Sequence, residues 1–181
     1  MHDGMLRRKT GRTSTSFPAT LETHEMSNIT VRQAVLSDLG ELMVLFDQYR
    51  QFQGKVPDLP AARGFLQARL NTGESIVFIA HDGQFPIGFA QAYPSFSSVA
   101  LARIFILNDL FVHESGRRKG IASRLLTAVE SHAWSLGAVR LTLNVDKNNG
   151  PGQTLYEAQG WSRDDQFHMY HCFPGDRGVA C

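Results

Sequence analysis

Cysteine is almost missing from this chain. The two cysteines, Cys172 and Cys181, form no C-x-x-C pair and have no histidine at ligand spacing, which argues against a zinc site and a disulfide framework. Cys181 is the last residue and lacks the C-a-a-X arrangement of a prenylation site. Long apolar runs are also missing; none approaches the roughly 18 residues of a membrane span. Charge of one sign is not in excess either. The formal net charge is +1, so no global field draws the chain to nucleic acid or to a membrane surface. Neither the G-x-x-x-x-G-K-[ST] loop nor a strand-borne G-x-G-x-x-G occurs, so the two commonest phosphate-binding signatures are absent. These absences predict a reduced, cytoplasmic protein that holds no metal and binds neither nucleic acid nor membrane.

What the chain does have is core. Its 181 residues are 43% hydrophobic and 19% charged, which suits one globular domain. Residues 1–25 stand apart. They are rich in Arg, Lys, Thr and Ser, lack a hydrophobic signal region, and read as a disordered or extended segment. The domain is expected over 26–175, opening at Met26, with 176–181 as a tail.

The most informative stretch runs from Leu107 to Ala122, LNDLFVHESGRRKGIA. It reads as a buried strand, a short turn rich in Arg and Gly, and a helix start. The backbone N–H groups of Arg118, Lys119, Gly120, Ile121 and Ala122 gather there, with Ser123 next in line. A first helical turn has four N–H groups without internal partners and sits at the positive end of the helix dipole, so it collects an anion. Gly120 and Ala122 let a bulky phosphate approach, and Arg117, Arg118 and Lys119 add positive charge. Together they describe a pyrophosphate cradle.

Arg117, Gly120 and Ala122 spell R-x-x-G-x-A between ILNDLFV and the helix IASRLLTAVESHAWSLGA, and the segment from Asn149 to Trp161, NGPGQTLYEAQGW, follows. This arrangement resembles the GNAT family of acetyl-CoA-dependent N-acetyltransferases. That family carries [Q/R]-x-x-G-x-[G/A] at its pyrophosphate helix and N-x-x-A-x-x-L-Y-E-x-x-G-[FW] further on. Two departures stand out: Arg118 occupies a position where Gly is frequent, and Gly152, after Pro151, stands where Ala is usual.

Periodicity supplies the elements. Ile29 to Gln33 alternates as a strand, and Ser37 reads as the N-cap of a helix whose stripe is Leu39, Leu42, Met43, Phe46 and Tyr49. Pro60 opens a second helix with Ala62, Phe65, Leu66 and Leu70 inward, ended by Gly73. Strands are expected over 75–81 and 86–92 around the Asp82-Gly83 turn, followed by a polar, aromatic loop from Tyr93 to Val99. The central strand spans 102–112. A long helix has Ile121, Leu125, Val129, Ala133 and Leu136 inward, a strand covers 139–145, and a short helix covers 151–159. Trp161 to Gln166 and Phe167 to Phe173 read as two closing strands. The order β-α-α-β-β-β-α-β-α-β-β makes an α+β fold, a mixed and mostly antiparallel sheet with helices on both faces. It matches the order of the GNAT fold.

The resemblance implies more. Acetyl-CoA would lie where the central strand and the next strand splay apart, its pantetheine arm pairing with the backbones of Leu110 and Val112, with Phe111 between them also expected to touch the cofactor. Tyr156 matches the family's general acid, and a phenol pKa near 10 suits donation to a thiolate. Asn149 matches an Asn that holds the CoA arm or caps the helix, and Asn144 donates to pantetheine or closes the strand. Asp109 stands near the expected thioester, as a base or as a buried carboxylate. Asn108 and Asp109 point to opposite faces, so only one meets substrate. The acceptor pocket of the family would here draw on Tyr49, Phe52, Gln53, Tyr93, Phe96, His168, Tyr170 and His171. This neutral, aromatic set favours a small primary amine, such as an amino acid, over a polyamine. A protein lysine or N-terminus as acceptor, and a non-catalytic acyl-CoA-binding module, are the competing readings. Homodimers are common in the family, so a homodimer is a further expectation.

Overall fold

A computed structural model describes residues 28–174. Both expected domain boundaries, 26 and 175, lie just outside them. The chain begins with β1 (Ile29–Gln33), a 3-10 turn (Leu36–Asp38), α1 (Leu39–Phe52) and α2 (Leu59–Thr72). Then come β2 (Ile76–Asp82), β3 (Phe85–Ser97), β4 (Ala102–Val112), a 3-10 turn (Glu114–Gly116), α3 (Ile121–Ser135), β5 (Arg140–Leu143) and α4 (Gly150–Ala158). The sheet order is β1-β2-β3-β4-β5, antiparallel except for the parallel β4–β5 pair.

Alternating side chains divide the core between the two faces of the sheet. On one face Phe78, Ala80, Ala90, Ala92, Phe105 and Leu107 meet Ile121, Leu125, Leu126, Val129 and Ala133 of α3. On the other, Val77, Ile79, Phe89 and Phe111 meet Leu39, Leu42, Leu45 and Phe46 of α1 with Ala62 and Leu66 of α2. An aromatic ladder runs through this second layer. Phe65 stacks on Phe46 at 5.5 Å, Phe46 and Tyr49 each sit 5.9 Å from Phe89, and Tyr49 and Phe52 reach Phe111 at 6.2 and 6.5 Å.

Several expectations need correction. The cap before α1 is not Ser37: Asp38 accepts the Val35 N–H at 2.8 Å and binds Arg32 through both carboxylate oxygens, so a 3-10 turn precedes the helix. Leu136 is 51% exposed, not inward, and Phe65 stays 38% exposed while one side of its ring stacks on Phe46. Strand β3 continues through Tyr93 to Ser97, where a loop was expected, because β4 is long enough to pair with it to the Ala102–Ser97 end. Strand β5 is shorter than expected at both ends. The two closing strands are not formed among the described residues; 162–174 is irregular and exposed. Its apolar residues Phe167, Met169, Tyr170 and Phe173 are exposed.

Candidate active site

One irregularity on β4 organises the site. The β3–β4 register runs from Gln91 opposite Asp109 to Ala92 opposite Leu107, so Asn108 is an extra residue, a β-bulge. Before it, Phe105 and Leu107 face α3; after it, Phe111 faces α1. The bulge therefore turns Asp109 toward α1, on the side of Phe111, and leaves Asn108 exposed. Asn108 donates its amide to the Asp109 carboxylate at 3.2 Å. The bulge interrupts the alternation on which opposite faces were expected, the two side chains meet, and the buried member is Asp109.

Asp109 is 6% exposed. Burial raises its pKa, opposed by hydrogen bonding from Asn108 and Tyr49. Three of the four tyrosines in the chain belong to this neighbourhood. Tyr49 comes from α1; burial and then the Asp109 charge push its phenol up to about 12. Tyr93 comes from β3 and is raised by burial and by Asp109. Tyr156 comes from α4, packs 6.0 Å from Trp161, and is raised by burial alone. Tyr156 sits at the margin of the α3-side core.

A gap opens beside β4. Strand β5 pairs with β4 only from Ile104 to Leu107. From Asn108 to Val112 no described strand covers that edge of β4, so Leu110, Phe111 and Val112 offer backbone groups to an extended ligand. Asp109 and Tyr156 flank the opening from opposite faces of the sheet.

The cradle lies at the far end of the same edge. Arg118 and Gly120 both adopt left-handed backbone, with φ of 61° and 73°. Such alternation turns successive N–H groups inward to form an anion-binding concavity. Gly120 is the N-cap of α3 and offers no side chain to its first turn, so those N–H groups have no side-chain cap. A diphosphate suits this geometry. The basic side chains are only partly given to it. Arg117 donates to the Val112 carbonyl and lies over the Phe52 ring at 5.8 Å, and Lys119 pairs with Asp82 at 3.1 Å. Ile121 is buried, so its side chain points away from the turn.

Asn149 serves as the N-cap of α4, its side chain accepting the Gly152 N–H at 3.0 Å. A Cβ on Gly152 would stand 2.7 Å from the Asn149 amide, so glycine replaces the usual alanine where the cap folds tightly back. Asn144 is exposed, one residue beyond β5. Asp47, buried at the α1–α2 junction, accepts from Arg50, Gln51 and the Asp58 N–H, all at 2.9 Å. Asp58 in turn caps α2. Asp47 thus anchors the loop beside Tyr49, Phe52 and Gln53.

Other expected acceptor residues are not brought in. Phe96 is exposed at the β3–β4 end, where Arg103 lies over its ring at 4.9 Å. His168, Tyr170 and His171 lie in the exposed segment after α4 because the strands that would carry them are not formed. Two residues were missed. Gln91, fully buried beside Asp109, donates to the Tyr93 hydroxyl, and Ser75 is buried before β2. A polar residue within the apolar run of β3 was the available signal for Gln91.

Among the described residues no cluster of His, Cys, Asp and Glu could hold a metal ion, and no helix is long and apolar enough to cross a membrane.

Comparison with known proteins agrees with this geometry. The model of the acetyltransferase (GNAT) family matches residues 41–161. An uncharacterized N-acetyltransferase of Bacillus subtilis, YhfO, is 45% identical over 140 residues, 77% of this chain and 94% of its own. A crystal structure of a probable acetyltransferase superposes with a TM-score of 0.77 at 36% identity, covering 81% of this chain and 99% of the other. The D-amino-acid N-acetyltransferase HPA3 of Saccharomyces cerevisiae is 27% identical, over 66% of this chain and 76% of its own.

Proposed function

The chain belongs to the GNAT acetyltransferase family, and from that premise we propose that it moves the acetyl group of acetyl-CoA to a primary amine of a small molecule, an amino acid or a similar amine. The observation that carries the reading is the β4 edge left open beyond Leu107, with the buried Asp109 on it and an uncapped helix start at its far end.

Acetyl-CoA supplies the activated acyl group as a thioester. The rest is work for side chains and backbone of the protein. The α3 start and the left-handed turn at Arg118 and Gly120 hold the diphosphate, and the free β4 edge aligns the arm. Asp109 receives the acceptor as an ammonium ion, taking its proton directly or through water, because only the free amine has a lone pair to attack with. As the N–C bond forms and the C–S bond breaks, Tyr156 donates its proton to the departing sulfur. Its raised pKa keeps the phenol protonated at neutral pH. Tyr49 and Phe111 wall the amine, where aromatic faces favour a cation.

The small-molecule acceptor is supported by one buried carboxylate among aromatic rings, which suits a single cation, and by the amino-acid activity of the yeast relative. The test is thiol release from acetyl-CoA against amines, amino acids and short peptides. Turnover with small amines is expected. Turnover with peptides alone would refute the acceptor class, and binding of acetyl-CoA without release to any acceptor would refute transfer.

A further inference from the structure

A buried polar atom with no hydrogen-bond partner is rare in a folded protein and calls for an explanation. Gln91 Oε1 is such an atom, in the middle of β3, on a residue that is 0% exposed. Gln91 stands opposite Asp109 on β4 and opposite Val77 on β2. Directly opposed residues on antiparallel strands bring their Cβ atoms to within about 5.5 Å. The β3–β4 register is regular from this pair to Phe89 opposite Phe111, and both of those rings pack on the α1–α2 layer. Gln91 and Asp109 therefore face that layer side by side.

The one bond of the Gln91 amide fixes its orientation. Nε2 donates to the Tyr93 hydroxyl, which turns the carbonyl the other way. Val77 and Phe89 have no hydrogen to give it. Tyr49, whose ring packs on Phe89 and Phe111 at 5.9 and 6.2 Å, hydrogen-bonds to Asp109. What remains is the Asp109 carboxyl. Ionised, it is a second acceptor beside the first. Protonated, it donates a hydrogen, and both groups are satisfied.

No other charged group takes that place. Strand β3 has none. On α1, Glu41 pairs with His81 and Asp47 with Arg50; on α2, Arg69 pairs with Glu74 and Arg63 is exposed. Arg140 of β5 stands down the strand, opposite Ile104, and α3 lies on the other face. The phenols of Tyr49 and Tyr93 are both raised, so they stay protonated at neutral pH.

We propose that Gln91 is a positioning residue in the transfer: its carbonyl receives the hydrogen of Asp109 once Asp109 has taken a proton from the acceptor's ammonium. This deepens the small-amine reading above and rests on it. The ammonium becomes a free amine and the carboxylate becomes the acid. The new O–H is bound by Gln91 and drawn away from the attacking nitrogen. The second proton that nitrogen sheds as the amide forms balances the one Tyr156 gives to sulfur. Asp109 releases its own proton to solvent after the product leaves.

The test titrates Asp109 by carboxyl-carbon NMR in protein labelled at its aspartate carboxyls, the Asp109 signal being the one missing from Asp109→Asn protein. It needs neither acceptor nor acetyl-CoA. In Gln91→Met the midpoint should fall by about half to one pH unit, the worth of one neutral hydrogen bond. An apolar chain in place of the amide dries the site and by itself moves the midpoint up, so a fall reports the lost acceptor. Tyr93→Phe frees the amide to turn its nitrogen to the carboxylate and should lower the midpoint as well; this variant decides if Gln91→Met does not fold. Gln91→Glu keeps an acceptor oxygen and adds a charge, so the upper midpoint of the carboxyl pair should rise. The acid limb of kcat/KM, measured with one amine of the thiol-release panel, should shift with the midpoint in each protein. An unchanged or raised midpoint in Gln91→Met, or an acid limb that stays while the midpoint moves, would overturn this inference and leave a small amine as the acceptor. No thiol release with any acceptor would overturn the transfer reading and, with it, the step assigned to Gln91.

Discussion

Replacing Asp109 with Asn should separate stability from catalysis. The amide keeps the shape of the carboxylate at a site that is 6% exposed, and only the charge is removed. Two opposing effects follow. The hydrogen bonds from Asn108 and Tyr49 weaken, each by about 1 kcal/mol as a central tendency. Against that, an ionised carboxylate no longer has to be held out of water. The raised pKa of Asp109, caused first by burial, says that the second effect is larger than the first. A carboxyl that is harder to ionise in the folded than in the unfolded chain lowers stability at neutral pH. The sign with pH is fixed: the penalty is full above the folded pKa and vanishes once pH falls below the unfolded value near 4. Asp109→Asn should therefore match or exceed wild-type Tm at pH 7, with the gap closing toward pH 4. Its kcat/KM for amines should drop by about 10²–10⁴, the usual worth of a positioned acid or base. Thermal unfolding at both pH values, with thiol-release kinetics, measures the two halves. A Tm several degrees below wild type at pH 7 would refute the desolvation argument. Retained turnover would refute the role of Asp109.

Two further outcomes follow from the same geometry. Gly120→Ala places a Cβ on a residue at φ 73° in the middle of the cradle, at about 1–2 kcal/mol of strain. The KM for acetyl-CoA should rise about tenfold while the acceptor KM moves little, as initial-rate kinetics would register. Asp47 has a pKa lowered chiefly by the Asp58 N–H, so its contribution to stability is present above about pH 4 and is lost as pH falls through its folded value. Asp47→Asn should lower stability by about 1–3 kcal/mol at pH 7. In denaturant titrations the difference from wild type should disappear in acid.

Some of this site could be read in the sequence and some could not. The turn and helix start at Arg117 to Ala122 were legible because strand, Gly-bearing turn and helix are contiguous, and their backbone geometry is set locally. Tyr156 and Asn149 were legible because both sit on one short helix at fixed spacing. The facing of Asp109 was not, because the bulge at Asn108 exists only in the register between β3 and β4, and no local pattern announces it. The extension of β3 through Tyr93 was missed for the same reason: its polar residues look like loop until β4 is seen to pair with them. Gln91 and Asp109 become a pair only across the sheet. The run from Phe167 to Phe173 alternates as a strand should, but alternation alone does not supply an edge to pair with.

The central claim is that the opening between β4 and β5 is where acetyl transfer happens, with Tyr156 as the acid. The Tyr156→Phe protein tests it most directly, with kcat and acetyl-CoA affinity measured on the same preparation. The ring and its contact with Trp161 remain, so binding and Tm should be unchanged while kcat falls about 10²–10⁴-fold. Full turnover with unchanged binding would contradict the account.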